Sequence, residues 1–195
     1  MNYAQIQKLR RTLSFTVEDV SAAFDIKQAS ARVMCNRYAR RGIFIRLKKN
    51  LYVLDQRWQS MERNDYLKLS NILQVPSYVS FVSALSYYEI TTQVQRDYFE
   101  SASLKRSAEY SVGEIMFKYY KLKKEYYFDF VKENDLFIAR KEKAFVDAVY
   151  LCSLGKYKLD LSSLDLTKLD RNKLKKVMRI YPVKTIRLIK KICKI

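Results

Sequence analysis

Residues 15–54 constrain the fold more than any other stretch, because their local signals follow one another in a demanding order. Thr16 suits a helix N-cap, Asp19 stands three residues on in an acidic first turn, and Val17, Val20 and Phe24 recur at helical spacing. Asp25 and Ile26 predict a tight turn. A second run, 27–41, repeats Ala31, Cys35 and Tyr38 at i, i+4 and i+7, which puts those three on one face toward a core. The opposite face then carries Gln28, Ser30, Arg32, Val33, Asn36 and Arg37, side chains able to reach base edges and phosphates. Gly42 stands where a left-handed residue ends a helix. Residues 43–47 and 51–54 are rich in β-branched and apolar types and read as a hairpin carrying Arg46. Its loop is expected to be Lys48, Lys49 and Asn50, with both lysines at the tip and Asn50 in the left-handed position. Helix, turn, second helix and basic-tipped hairpin together predict a winged helix-turn-helix.

The same elements also build modules that bind only protein, and charge favours DNA. Residues 1–58 hold twelve Lys and Arg against four Asp and Glu, a net of +8, concentrated on the second helix and the hairpin. The following 59–163 are nearly neutral, with fifteen bases and fourteen acids. Residues 164–195 return to +9, with eleven bases and two acids. The expected DNA-binding residues are Gln28, Ser30, Arg32, Asn36, Arg37, Arg46, Lys48 and Lys49.

A hydrophobic content of 49% in 195 residues supports a real core. Three glycines and two prolines leave little material for Gly-rich phosphate loops. Cys35, Cys152 and Cys193 are odd in number and far apart, so neither a disulfide framework nor a metal site is expected, and a reducing cytoplasm fits. The longest apolar stretches, 78–90 and 144–154, are too short to span a bilayer, and no signal segment is read at the start.

Along the rest of the chain, residues 3–13 place Ile6, Leu9 and Leu13 on one helical face. The polar stretch 55–63 reads as a connection, with the boundary near Trp58. Helices are expected over 64–73, 80–88 and 141–151, the last with Ala144, Phe145, Ala148 and Leu151 inward. Strands are expected over 96–103, 114–122, 126–131 and 137–139; in 114–121 Ile115, Phe117 and Tyr119 alternate with more polar neighbours. From 161 onward the pattern is helical. The final run, 183–195, groups Ile186, Ile189, Ile192 and Cys193 apart from Lys184, Arg187, Lys190, Lys191 and Lys194. The expected fold class is α+β: a winged helix-turn-helix over 1–58, then a mixed α+β domain over 59–195 that includes a basic helical tail over 164–195.

The chain resembles the AbiEi antitoxin family in Gly42 closing the helix, in the hairpin residues Asn50, Leu51, Tyr52 and Val53, and in the run Val75, Pro76, Ser77, Tyr78, Val79, Ser80 before the helix 84–88. The likeness continues through Ile138, Ala139, Glu142, Lys143, Ala144 and Asp147 and so covers nearly the whole chain. Relatives often carry Gly in the hairpin turn, where this chain has Asn50. The resemblance implies a type IV toxin-antitoxin component active in phage defence. Its winged domain would bind operator repeats in double-stranded DNA of its own promoter as a transcriptional repressor. Its C-terminal domain would counteract a nucleotidyltransferase-type toxin without a stable complex. Lys184, Arg187, Lys190, Lys191 and Lys194 are the expected antitoxin surface; the other reading is that the isoleucines merely close the core and the bases face solvent.

No enzyme is expected. The chain has no histidine, which removes the commonest general base and the triads built on it. Glu142 and Asp147 lie five residues apart on one expected helix and do not share a face closely, and Glu142 suits the first helical turn. No catalytic residue, cofactor, metal or membrane partner is assigned. A plain winged-helix transcription factor and a protein-binding adaptor are the alternatives to an antitoxin.

Overall fold

Residues 3–93 and 95–195 are described by the structure, a computed structural model, the side chains of residues 3–5 and 7 aside. The chain gathers into two compact units, Met1–Leu69 with Tyr110–Glu114, and Ser70–Glu109 with Ile115–Ile195. The expected boundary at Trp58 lies within the first unit.

In the first unit α1 (Tyr3–Arg10) precedes α2 (Val17–Phe24), which begins at a full capping box. The Thr16 hydroxyl accepts from the Asp19 N–H at 3.3 Å, and the Asp19 carboxylate accepts from the Thr16 N–H at 2.7 Å, so two orphan donors of the helix start are satisfied. Asp25, left-handed at φ 52°, closes α2 and turns the chain into α3 (Gln28–Arg40). Ala31, Cys35 and Tyr38 are buried as their spacing predicts, and burial pushes the Cys35 thiol up to about 11, which leaves it a packing residue. Gly42, at φ 72°, ends the helix. The Ile43 N–H then returns to the Tyr38 carbonyl at 3.0 Å.

The hairpin β1 (Phe44–Lys48) and β2 (Leu51–Leu54) differs from expectation in its loop. Lys48 pairs with Leu51, so the turn is Lys49 and Asn50 alone. A bulge between Arg46 and Lys48 absorbs one residue and carries the strand further toward the tip. Phe15 adds a bridge to Tyr52, its N–H and C=O both bonded at 2.8 Å, a pairing with no signature in an isolated residue between two helices. Phe15, Phe44 and Tyr38 meet edge to face at 4.8 and 5.2 Å and centre the core of this unit. Residues 55–63, read as a connection, carry structure of their own. They include α4 (Asp55–Gln59), held by an Arg57–Asp65 ion pair at 2.9 Å and by Trp58 against Tyr66 at 5.2 Å.

After α5 (Arg63–Leu73) come β3 (Ser77–Val79), α6 (Phe81–Tyr87), β4 (Tyr98–Ser103), β5 (Ala108–Val112), β6 (Ile115–Lys121), β7 (Phe130–Glu133), β8 (Leu136–Ala139), α7 (Lys141–Ser153), α8 (Arg171–Met178) and α9 (Val183–Cys193). The strands form a mixed sheet in the order β5-β6-β4-β3-β8-β7, parallel between β4 and β6 and between β3 and β8. The molecule is therefore mixed α+β. Ile115, Phe117 and Tyr119 are buried as the alternation predicts. The expected strand 126–131 is corrected. A 3-10 turn occupies Lys124–Tyr126, and Asp129 at φ 54° interrupts extension before β7. Its aromatic residues have strand composition but are spent on ring packing, Tyr126 stacking on Tyr181 at 4.6 Å and Tyr127 meeting Tyr78 at 4.9 Å. Helix α7 is buried nearly all round instead of on one stripe, because α6, α8, α9 and β8 all touch it. No helix among the described residues is long and apolar enough to cross a membrane.

Candidate nucleic-acid interface

Helical spacing on α3 fixes what faces outward there, while on the hairpin Arg46 borders the bulge and Lys49 stands in the turn. Gln28, Ser30, Arg32, Val33, Asn36, Arg37, Arg46 and Lys49 are all exposed, whereas Lys48 is half-buried in β1. Arg32 and Asn36 from α3 and Arg46 and Lys49 from the hairpin line one groove of about 390 Å³, floored by Val17 and Tyr52. Arg37 faces a second hollow of about 490 Å³ with Val33, Asn36, Arg40 and Arg41. Asn36 therefore stands on the ridge between the two. Gln28 and Ser30 lie in the first turns of α3, outside both.

Asn50 sets the spacing between hairpin and helices. Left-handed at φ 57°, it turns its amide back onto the start of α2, where Oδ1 accepts from the Val17 N–H at 3.0 Å and Nδ2 donates to Glu18 at 2.8 Å. The Glu18 carboxyl is held below the usual range first by that amide and, more weakly, by the nearby Arg32 charge. One ionised carboxylate thus sits beside an otherwise cationic groove, bonded to Asn50. Arg40 and Arg41, missed from the sequence, follow Asn36 and Arg37 by four residues, which is the helical signal that places them on the same surface.

The second unit holds the other sequence candidates. Lys184, Arg187, Lys190, Lys191 and Lys194 are exposed along α9, while Ile189 and Thr185 are buried and Ile186 and Ile192 half-buried. Ser153 of α7 and Thr185 share a hydrogen bond at 2.9 Å, so the apolar side of α9 is seated and its bases face outward.

Lys143 and Asp147 form a buried ion pair one turn apart on α7, both fully shielded. Lys143 also donates to Tyr78 at 2.9 Å and Tyr181 at 2.8 Å, and Asp147 accepts from Ser80 at 2.9 Å. Burial lowers the Lys143 pKa and the Asp147 charge opposes it. Glu142 stands in the first turn of α7 as expected; it is buried and accepts the Asp170 N–H at 2.9 Å, where it anchors the start of α8. Among the described residues no group of three or more His, Cys, Asp or Glu is placed to hold a metal.

No family model matches the chain, and no curated protein matches it. Among solved structures it is similar to the crystal structure of the RV2827C protein from Mycobacterium tuberculosis, with a TM-score of 0.64 over 98% of this chain and 75% of that one. The fold is shared. At 8% identity the likeness carries no residue roles across.

Proposed function

We propose that residues 3–54 are a winged helix-turn-helix, with α3 as recognition helix in the DNA major groove and the β1–β2 hairpin as wing. The observation that carries this reading is the common groove in which Arg32 and Asn36 of α3 meet Arg46 and Lys49 of the hairpin. Asn36 suits adenine, Arg32 and Arg37 suit guanine or phosphate, and exposed Val33 suits a thymine methyl group. Arg40, Arg41, Arg46 and Lys49 hold backbone phosphates.

The resemblance to AbiEi antitoxins extends the proposal to the whole chain. It represses its own operon and counteracts a nucleotidyltransferase-like toxin encoded beside it, with the exposed bases of α9 contributing to neutralisation. The test combines anisotropy with its own upstream DNA against scrambled duplex, and rescue of cells expressing the neighbouring gene. Preference for upstream DNA together with rescue supports the reading. Preference without rescue leaves a transcription factor, and binding to neither duplex removes the proposal.

A further inference from the structure

A further cavity lies in the second unit, independent of the DNA-binding reading. It measures about 400 Å³, within the roughly 300–1,000 Å³ range of small-molecule sites. Its floor is the Glu100 carboxylate on β4, only 2% exposed. Tyr157 donates to Glu100 Oε2 at 2.7 Å, the Val82 backbone also bonds the carboxyl, and the Tyr120 hydroxyl stands 3.5 Å from Oε1 in a long contact, so the two oxygens together keep acceptor capacity. Tyr98, Tyr120 and Tyr157 are half-buried and wall the cavity, and Lys156, Lys158 and the Asp160 carboxylate, which accepts from Gln93 at 2.8 Å, stand exposed at its rim, so that the cations there outnumber the anion.

The walls are held from behind at a conformational cost. Phe81 is fully buried with its ring against Tyr120 at 4.9 Å and Tyr157 at 5.5 Å, and it takes φ 56°, a left-handed backbone unusual for a bulky side chain. The Glu100 strand is fastened to the same turn, its N–H donating to the Ser83 hydroxyl at 2.8 Å and its carbonyl accepting the Ser80 N–H at 3.1 Å. Carboxylate and rings are therefore fixed relative to one another.

We infer that this cavity binds a guanosine mononucleotide. Guanine presents adjacent N1–H and N2–H donors that suit a buried carboxylate, its plane suits tyrosine walls, and the phosphate reaches the rim lysines. A simple ammonium ligand meets the same carboxylate but leaves the ring walls uncovered and faces a rim that is net cationic even with Asp160. A zwitterionic amino acid satisfies both charges and leaves the ring walls uncovered. Adenine offers no such pair of adjacent donors to Glu100, which makes AMP the informative competitor.

The experiment is calorimetric titration of the full chain with GMP, AMP and guanosine at a pH above about 7, where the Glu100 carboxyl is ionised. Saturable GMP binding is expected, with AMP at least about tenfold weaker, as for a site built around specific hydrogen bonds. Glu100→Gln places an amide donor against the donor edge and should weaken GMP by about tenfold or more. Lys156→Ala with Lys158→Ala should weaken GMP and spare guanosine. The inference is overturned if wild type shows no saturation at millimolar GMP, if AMP binds as well as GMP, or if a folded Glu100→Gln variant binds GMP as wild type does. The comparison of GMP with AMP uses wild type alone and stands even if Glu100→Gln does not fold.

Discussion

Asn36 is the residue on which the proposed DNA specificity turns, since it stands on the ridge between the two hollows of the α3 surface. Asn36→Ala should cost about 1–3 kcal/mol on the chain's own upstream DNA and much less on random duplex, measured by anisotropy. Lys49→Ala, at the hairpin tip, should weaken both duplexes alike. The buried ion pair carries a different expectation. Lys143→Met leaves the Asp147 carboxylate uncompensated in a fully buried site and should destabilise by about 3–5 kcal/mol in urea unfolding. A loss under about 1 kcal/mol would mean that Tyr78, Ser80 and Tyr181 alone sustain the carboxylate. Glu100 gives a pH expectation of definite sign. Burial pushes its carboxyl from 4.5 up to about 7, against the downward pull of Tyr157, the Val82 backbone, Tyr120 and Lys118. The folded chain holds this proton where the unfolded chain has released it. The stabilising contribution is therefore complete below about 4.5 and lost as pH rises through about 7. It is on the order of 3 kcal/mol, and Glu100→Gln should remove that slope from the pH dependence of unfolding.

Elements show which signals were legible and which were not. Helix α3 could be read in full, because Ala31, Cys35 and Tyr38 repeat on one face, and the exposed set opposite them follows from the same period. The hairpin was legible as a hairpin, but its bulge and two-residue turn were not, since a bulge is a property of pairing and leaves no mark on composition. Strands β3 and β5 escaped for another reason: Ser77–Val79 is too short to show alternation, and Ala108–Val112 carries small and polar residues. The β7–β8 turn did carry a signal in Asn134 and Asp135, both left-handed. Lys143 and Glu100 were invisible as site residues because a buried charge looks like a surface charge until its partners are placed. Helix α9 bears the element-scale test. Replacing Lys184, Arg187, Lys190, Lys191 and Lys194 with Gln leaves Thr185 and Ile189 seated, so the helix should stay folded by circular dichroism and lose toxin rescue. Rescue equal to wild type would move the neutralising surface off α9.

At the scale of the whole chain, the charge of +18 is carried by its two ends, with residues 59–163 nearly neutral. Polyanion binding is therefore expected at two separable places. Arg32→Ala with Asn36→Ala should abolish operator preference and leave toxin rescue intact, whereas the Gln-substituted α9 should do the reverse. The central claim, that the α3 and hairpin groove binds DNA through its bases, is tested most directly by the salt dependence of affinity for the upstream duplex, measured on the full chain and on an Arg32→Ala, Arg46→Ala, Lys49→Ala variant. If about six phosphates are neutralised, log K should fall against log salt with a slope of roughly −5, and the variant should reduce that slope by about 2 to 3. A slope near zero for wild type, or an unchanged slope in the variant, would contradict the account.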